Sequence, residues 1–571
     1  MEPAFTTKRR LELAICQINA VVGDLVGNAD LVIENAHSAS ESGAQIALFP
    51  ELALSGYPPE DLVLREDFLV ATGRQLERVA AATDGIVVAV GFPMAHPAGV
   101  ANALAVLAGG EVVATYRKQL LPNYGVFDER RYFVPGDSDG IVLVDGIPVG
   151  LTICEDVWFD GPVVSGLEAA GARLILNASA SPFHTGKSHE REAMLSARAN
   201  KFSMPIAYCN LVGGQDELVF DGASVVIDGN GEVTARGPQF DTALLRCAVD
   251  VEEPPTRLRE ELTRIELPAG TAAEVAPLAA PLIPREHETY RALMLGIHDY
   301  VDKNGFPGVL VGVSGGIDSA VVLALACDAL GPERVTAVTM PSPYNSPETQ
   351  ADGRELIERL GCASHEFAIK PAMDAFTAML EQPFSSSDPD QTEENVQARI
   401  RGILLMALSN KFGALVLTTG NKSEMAVGYA TLYGDMAGGF AALKDVPKQL
   451  VFALARWRNT AAPYSGAADN PVPRGIIDRP PSAELRPDQT DEATLGSYEA
   501  LDDIIERYIE QDQGIDEMVA AGADREFATK IIRMIDLAEY KRRQAPPGVK
   551  ITQRAFGRDR RMPITARRRF R

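Results

Sequence analysis

The chain has 571 residues, 46% hydrophobic and 23% charged, an ordinary globular composition in a length too great for one hydrophobic core. No stretch approaches the roughly 18 uninterrupted apolar residues of a spanning helix, so no membrane association is expected. The formal net charge of −24 argues against a nucleic-acid backbone as the main partner.

In chain order, the first segment, with Glu12, Gln17 and Asn19 interrupting its apolar run, reads as a strand and not as a signal peptide. Residues 8–250 continue as short apolar strands: LELAICQI, AQIALFP, GIVVAVGF, NALAVLA, VVATYR, PVGLTIC, RLILNAS, PIAYCNL and ASVVIDG. Gly109-Gly110 and Gly229-Asn230-Gly231 read as hairpin turns, and NADLVIENAHSASESG and SHEREAMLSARANKF as helices. This is the grammar of an α/β domain with a mixed sheet or a sandwich. Residues 251–285 are rich in Pro, Ala and Glu and read as a linker. From 286 to 571 strands and helices alternate, which makes a doubly wound parallel sheet with ligands at the carboxyl ends of its strands. One helix opens at Ser346-Pro347, a favourable N-cap and N1 pair. The stretch 459–491, rich in Pro, Gly and Ala, is expected to loop out. The Arg-rich tail from Arg554 to Arg571 reads as a solvated or subunit-docking tail, or as a local anion site. Six scattered cysteines, Cys16, Cys154, Cys209, Cys247, Cys327 and Cys362, include no C-x-x-C pair, so neither a disulfide framework nor zinc is expected, and the compartment reads as a reducing cytoplasm.

Three polar residues close apolar strands in the first half: Glu51 after AQIALFP, Lys118 after VVATYR and Cys154 after PVGLTI. Strand ends would bring them to one edge. A cysteine on a sharp turn suits a nucleophile, a neighbouring lysine lowers its pKa and favours thiolate, and a glutamate can take and return protons. The lysine can also stabilise a tetrahedral oxyanion. The wording around them, FPELALSGYPPEDL, YRKQLLPNYGVFDERRYFVPG and GLTICEDVW, resembles the glutamine amidases of the nitrilase superfamily. The resemblance implies an αββα sandwich with Glu51, Lys118 and Cys154 as catalytic triad, assisted by Glu129. It further implies that Tyr124, Ser181 and Lys187 contact glutamine.

In the second half, VLVGVSGGIDSAVVLALACDALG runs from a buried strand through Ser314-Gly315-Gly316-Ile317-Asp318-Ser319 into an apolar helix. Glycine backbone N–H groups and a helix N-terminus favour an anion there. Asp318 would repel a phosphate, so it makes sense as a Mg²⁺ ligand beside one. No GK[ST] follows, so this is not a Walker A loop. The segment resembles the pyrophosphate loop of the ATP pyrophosphatase family, which implies ATP contacts at Gly312, Ser314, Gly315, Gly316, Asp318 and Ser319. EENVQARIRG, LVLTTGNKSEMAVGYATLYGDMAGGFAALKDVPKQLVFALARW and AEYKRRQAPPG narrow the resemblance to the NAD synthetase family. It then implies that Thr419 and Lys448 contact ATP and that Glu424 completes the Mg²⁺ site with Asp318. Asn395, Arg399, Glu424 and Lys541 would face deamido-NAD⁺. Small ammonia-using members carry a lysine where this chain has Leu432, a departure that touches the detail of the dinucleotide contact and not the reaction.

Together the resemblances imply an ATP-dependent ligase. Glutamine hydrolysis would supply ammonia, ATP would adenylate deamido-NAD⁺, and ammonia would displace AMP to give NAD⁺, in a homo-oligomer. Fusing two sites in one chain suggests an internal passage for ammonia. Two rival readings are another glutamine-using ligase acting on a nucleotide or a tRNA base, and a non-catalytic nucleotide-binding scaffold. The acidic chain lacks the basic face or paired cysteines of a tRNA-modifying member.

Overall fold

The computed structural model describes residues 8–252, 262–267, 279–486 and 489–566; much of the 251–285 segment and the last five residues of the Arg-rich tail lie outside them. The chain divides into two compact units, residues 1–215 with 219–283, and 216–218 with 284–571.

The first unit contains β1 (Lys8–Gln17), β2 (Ile46–Leu48), β3 (Val87–His96), β4 (Gly99–Ala108), β5 (Glu111–Arg117), β6 (Ile141–Val144), β7 (Ile147–Ile153), β8 (Leu174–Ser179) and β9 (Ile206–Asn210). It continues with β10 (Val212–Gln215), β11 (Leu218–Asp221), β12 (Val225–Ile227), β13 (Val233–Arg236), β14 (Ala243–Glu252) and β15 (Arg264–Ile265). One sheet runs β14-β1-β2-β3-β4-β5 and a second β13-β12-β9-β8-β7-β6-β15. Both are mixed: β1, β2 and β3 are parallel neighbours, as are β7, β8 and β9, while β1 pairs antiparallel with β14. Leu13, Ile15 and Leu104 of the first sheet share a buried core with Leu151, Leu176 and Val149 of the second. Cover on both faces, the partner sheet on one side and helices on the other, explains why the central strands are continuous apolar runs and do not alternate. Helices Leu25–Glu41 and Glu66–Ala82 carry buried stripes. On the other side Leu195 and Ala199 of helix Lys187–Phe202 pack with Ile175, Ile206 and Val225. The result is the expected αββα sandwich. The two glycine turns join β4 to β5 and β12 to β13 as antiparallel hairpins.

The second unit has one five-stranded sheet, order β18-β17-β16-β19-β20, in which every pairing is parallel: β16 (Val309–Val313), β17 (Val335–Thr339), β18 (Ala363–Glu366), β19 (Leu415–Thr418) and β20 (Phe440–Ala441). Helix Ile317–Leu330 follows β16 and is buried on almost every side. Helix Pro347–Leu360 starts as the sequence predicts, with Ser346 Oγ accepting the N–H of Thr349 at 3.1 Å. The order reverses beside β16, between β17 on one side and β19 on the other, the place where such sheets open a crevice.

The stretch 459–491 departs from expectation. Past the end of helix Lys448–Thr460 and apart from helix Arg474–Asp478 its described residues are irregular, yet they do not loop out. Val472 and Ile476 are buried. Glu484 accepts hydrogen bonds from Asn345 (3.0 Å) and Thr349 (2.8 Å), and Gln397 donates to the carbonyl of Leu485 at 3.0 Å. Specific polar partners hold down a segment whose composition carries no periodic pattern.

Candidate active sites

In the first unit, Glu51 leaves β2 in a turn that β3 crosses at close range. A Cβ on Gly91 would lie 2.3 Å from the Leu52 nitrogen, so only glycine admits this crossing. Lys118 follows β5 directly. Its Nζ, fully buried, lies 2.7 Å from Glu51 Oε1 and 2.8 Å from Glu129 Oε1. Asn102 donates to Glu51 Oε1 at 2.7 Å, the Ala180 N–H to Glu51 Oε2 at 3.1 Å, and the Tyr57 hydroxyl to Glu129 Oε1 at 3.0 Å. Burial opposes the ammonium, but Glu129 and Glu51 outweigh it and hold the Lys118 pKa well above the ordinary lysine value. Burial, with Glu51 adding to it against the pull of Lys118, pushes Glu129 up to about 7.

Cys154 follows β7 with φ +41°, in the left-handed region, and opens the short helix Cys154–Val157. Strain of this kind in a non-glycine residue is characteristic of functional turns. Burial, joined by the Glu51 charge, raises its thiol pKa well above the usual value; Lys118 lowers it but does not prevail. The expected influence of Lys118, which favours thiolate, is present at this turn, and burial and the Glu51 charge work against it. Of the three residues expected around glutamine, Tyr124 and Lys187 reach residues next to this turn, and Ser181 follows Ala180, whose N–H binds Glu51. Tyr124, with its ring half exposed, donates to Glu155 Oε1 at 2.7 Å. Ser181 is buried, its N–H on Asn210 Oδ1 at 2.9 Å. Lys187 Nζ stands 3.9 Å from the Trp158 ring centroid and 3.6 Å from Glu190 Oε2.

In the second unit a cavity of about 290 Å³ opens at the carboxyl ends of β16, β17 and β19, lined by the loop 312–319 and by Thr419, Glu424 and Lys448. Gly315 has φ +82°, and a Cβ there would lie 2.2 Å from the Thr349 carbonyl oxygen. The Ser314 and Ser319 hydroxyls meet at 3.2 Å, and Gly316 N–H donates to Ser314 Oγ at 3.2 Å. Lys448 Nζ lies 2.5 Å from Asp318 Oδ2 and 3.0 Å from Glu424 Oε1. Burial opposes its charge, but the two carboxylates prevail and raise its pKa. Burial, offset by Lys448 and reinforced by Asp318, pushes Glu424 up to about 7. Asn421 caps helix Lys422–Val427 through the Glu424 N–H at 3.0 Å and donates to Asp318 Oδ1 at 2.8 Å.

Asn395, Arg399 and Lys541 do not line the cavity. They gather on the turn that follows helix Lys422–Val427: Asn395 Oδ1 accepts from Thr431 at 2.8 Å, Arg399 donates to the Leu432 carbonyl at 3.3 Å, and Lys541 donates to the carbonyls of Gly428 and Ala430, both at 2.8 Å.

Comparison with known proteins bears on both sites. Residues 12–253 match the Carbon-nitrogen hydrolase family and residues 289–545 the NAD synthase family. The glutamine-dependent NAD(+) synthetase of Xylella fastidiosa is 47% identical over 558 residues, covering 97% of this chain and 98% of the relative. That of Thermotoga maritima is 46% identical over 579 residues, covering 98% and 99%. The chain belongs to the glutamine-dependent NAD⁺ synthetase family. Among solved structures, the glutamine-dependent NAD⁺ synthetase of Acinetobacter baumannii, in complex with ADP, superposes with a TM-score of 0.74 at 39% identity, covering 97% of this chain and 98% of that one. The enzyme from Cytophaga hutchinsonii shares the fold, with a TM-score of 0.80 at 22% identity.

Some residues of this synthetase-family site lay outside the sequence reading. Asn421 was legible: Asn-Lys-Ser-Glu after a strand is a capping box. Asn102, a lone amide in the buried strand NALAVLA, stands out only by its polarity. Arg401 lines the synthetase cavity and donates to the Met340 carbonyl at 3.1 Å; on a long helix it carries no local signal.

Proposed function

We propose that this chain makes NAD⁺ from deamido-NAD⁺ and ATP, with glutamine as nitrogen donor. The observation that carries the reading is the Ser-Gly-Gly loop facing Asp318 and Glu424 in the same chain as a buried Cys–Lys–Glu centre. At that centre the Cys154 thiol gives its proton to Glu51 as sulfur attacks the glutamine side-chain carbonyl. Lys118, kept charged by its two glutamates, faces the developing oxyanion, and Glu129 holds Lys118 in place. The C–N bond breaks, the proton goes to the departing ammonia, and water then releases glutamate from the thioester with Glu51 again taking a proton. Tyr124, Ser181 and Lys187 are assigned to holding glutamine.

At the second site the nicotinate carboxylate oxygen attacks the α-phosphorus of ATP and pyrophosphate leaves. The backbone of 314–316 and the N-terminus of helix Ile317–Leu330 present N–H groups to the phosphates, with Gly312, Ser319, Thr419 and Lys448 around them. Ammonia then attacks the acyl carbon and AMP departs. Asn395, Arg399 and Lys541 are assigned to deamido-NAD⁺, directly or through the turn they hold. The donor chemistry fits Mg²⁺. Asp318 and Glu424 are hard oxygen ligands that already converge on one cation, the Lys448 ammonium, and Mg²⁺ commonly takes one or two carboxylates and completes its shell with phosphates and water. When bound by these two carboxylates it would neutralise charge on the pyrophosphate. A homo-oligomer built on the second unit is supported by its helix pair Lys370–Phe384 and Gln391–Phe412, which leaves Phe376, Met379, Ile403 and Phe412 exposed.

The test is NAD⁺ and AMP formation from deamido-NAD⁺, ATP and Mg²⁺, with glutamine or ammonium. Cys154→Ala is expected to lose the glutamine reaction and keep the ammonium one. Retention of the glutamine reaction would remove Cys154 from the mechanism.

A further inference from the structure

Asp156 stands two residues beyond the cysteine on the short helix Cys154–Val157, and it is buried. Its two oxygens accept four hydrogen bonds. Oδ2 takes the Ile153 N–H at 3.0 Å and the Tyr116 hydroxyl at 2.8 Å. Oδ1 takes the N–H groups of Gln119 at 3.2 Å and Leu120 at 2.9 Å. These partners come from opposite layers of the sandwich. Ile153 ends β7 and hands the chain to Cys154. Tyr116 belongs to β5, and Gln119 and Leu120 follow Lys118. The Lys118 backbone is itself tied within its own layer, its N–H on the Asn102 carbonyl at 2.9 Å. One carboxylate therefore joins the turn that presents the nucleophile to the segment that presents the lysine.

We propose that Asp156 is a positioning residue of the glutaminase reaction, fixing the Cys154 turn against Lys118 across the two sheets. The inference rests on the reading of Cys154, Lys118 and Glu51 as the amidase centre. Three of the four partners are backbone N–H groups, which only donate, and they fall on both oxygens, so only a group with two acceptor oxygens meets them all. An amide turns its NH₂ either toward the Gln119 and Leu120 N–H groups or toward the Ile153 N–H, even where the Tyr116 hydroxyl rotates to accept. Burial raises the Asp156 pKa to about 6, with the Leu120 and Ile153 N–H groups drawing it down, so the acceptor form prevails at neutral pH. The Lys118 charge pulls the Cys154 thiol down and faces the oxyanion, and both effects depend on the distance between the two residues. A displacement of about 1 Å at such a centre lowers rate by about 10²-fold.

Asp156→Asn in the full-length protein tests this. Glutamine-driven kcat is expected to fall by about 10²-fold, with the glutamine KM changed by no more than about threefold and the ammonium-driven reaction intact. In parallel, the pH midpoint for iodoacetamide alkylation of Cys154, followed by mass spectrometry of its peptide, should move upward as Lys118 loses its register. An unchanged glutamine kcat and alkylation midpoint overturns the proposal. So does a fall of the glutamine and ammonium reactions in proportion, which marks a general structural role. Should the variant not accumulate as folded protein, Tyr116→Phe carries the test. It removes one bond to Oδ2 and should lower glutamine-driven kcat by about threefold or more with ammonium use unchanged; no change overturns the proposal. Cys154→Ala run alongside separates the two readings. If it retains glutamine use, the amidase assignment has failed, whatever Asp156→Asn does.

Discussion

At the scale of single residues, burial decides the chemistry of the amidase centre. Lys118 keeps its charge because Glu51 and Glu129 flank it within 2.8 Å, and either carboxylate without the lysine would be an uncompensated buried charge. Glu129 is the softer of these groups, poised near 7. Above that pH it is a carboxylate that grips the Lys118 ammonium at 2.8 Å and holds it toward the reacting centre. Below it, Glu129 is neutral and that hold on Lys118 is weaker. The glutamine-driven kcat/KM is therefore expected to fall as pH drops through about 7. Glu129→Gln should hold a flat, low profile, reduced by about tenfold at pH 8, and persistence of the limb in the variant would remove Glu129 as its source. Linkage gives stability the opposite sign. A carboxyl raised from 4.5 to about 7 in the fold contributes its full stability below 4.5 and loses it as pH climbs through 7. Which residues close strands was legible in the sequence, because an apolar run ending in Glu51, Lys118 or Cys154 is a local pattern. The acidity of Cys154 was not, since it depends on how many layers cover the turn and on a carboxylate from another strand.

At the scale of elements, the synthetase crevice is made by three chain segments meeting beside β16. The Gly-rich loop, the Asn421 cap and the start of helix Lys448–Thr460 are each set by short-range rules: a left-handed glycine, a capping box and a helix start after Pro447. Gly315→Ala should break the first of these. The new methyl meets the Thr349 carbonyl oxygen, and the left-handed conformation adds about 1–2 kcal/mol for a non-glycine residue. The expected outcome is an ATP KM raised about tenfold or more, with glutamine hydrolysis retained. An unchanged KM would show that the loop tolerates a side chain facing the nucleotide. Alternating strands and helices were readable here because each element buries a regular apolar pattern. The segment 459–491 was misread because its order comes from Glu484, Gln397 and Arg479 bonding to distant partners, Arg479 reaching the Gly315 carbonyl at 3.4 Å, and composition carries no trace of such pairings.

For the whole molecule, the two units follow different construction rules. The amidase sandwich hides strand ends between two mixed sheets, and the synthetase unit opens them at the edge of a parallel one. No helix among the described residues is long and apolar enough to cross a membrane. The apolar side chains left exposed on helices Lys370–Phe384 and Gln391–Phe412 predict association, and sedimentation of the intact protein should reveal a dimer or larger species. A single sedimenting chain at micromolar concentration would leave those side chains without a subunit to cover them. The division into two α/β units was plain from the change of rhythm in the sequence. The antiparallel pairing of β1 with β14 was not, because strand partners far apart in the chain leave no local mark.

That pairing has a consequence in time. Residues Lys8 to Gln17 face Glu252 to Ala243 across one continuous ladder. A ribosome makes β1 among the first residues of the sandwich and β14 among the last. Until Ala243 has emerged, β1 has one edge without its partner, the kind of exposed strand edge that invites pairing with another nascent chain. The seam started first is among the last to close, and it joins the beginning of the amidase unit to the stretch of chain that leads toward the synthetase.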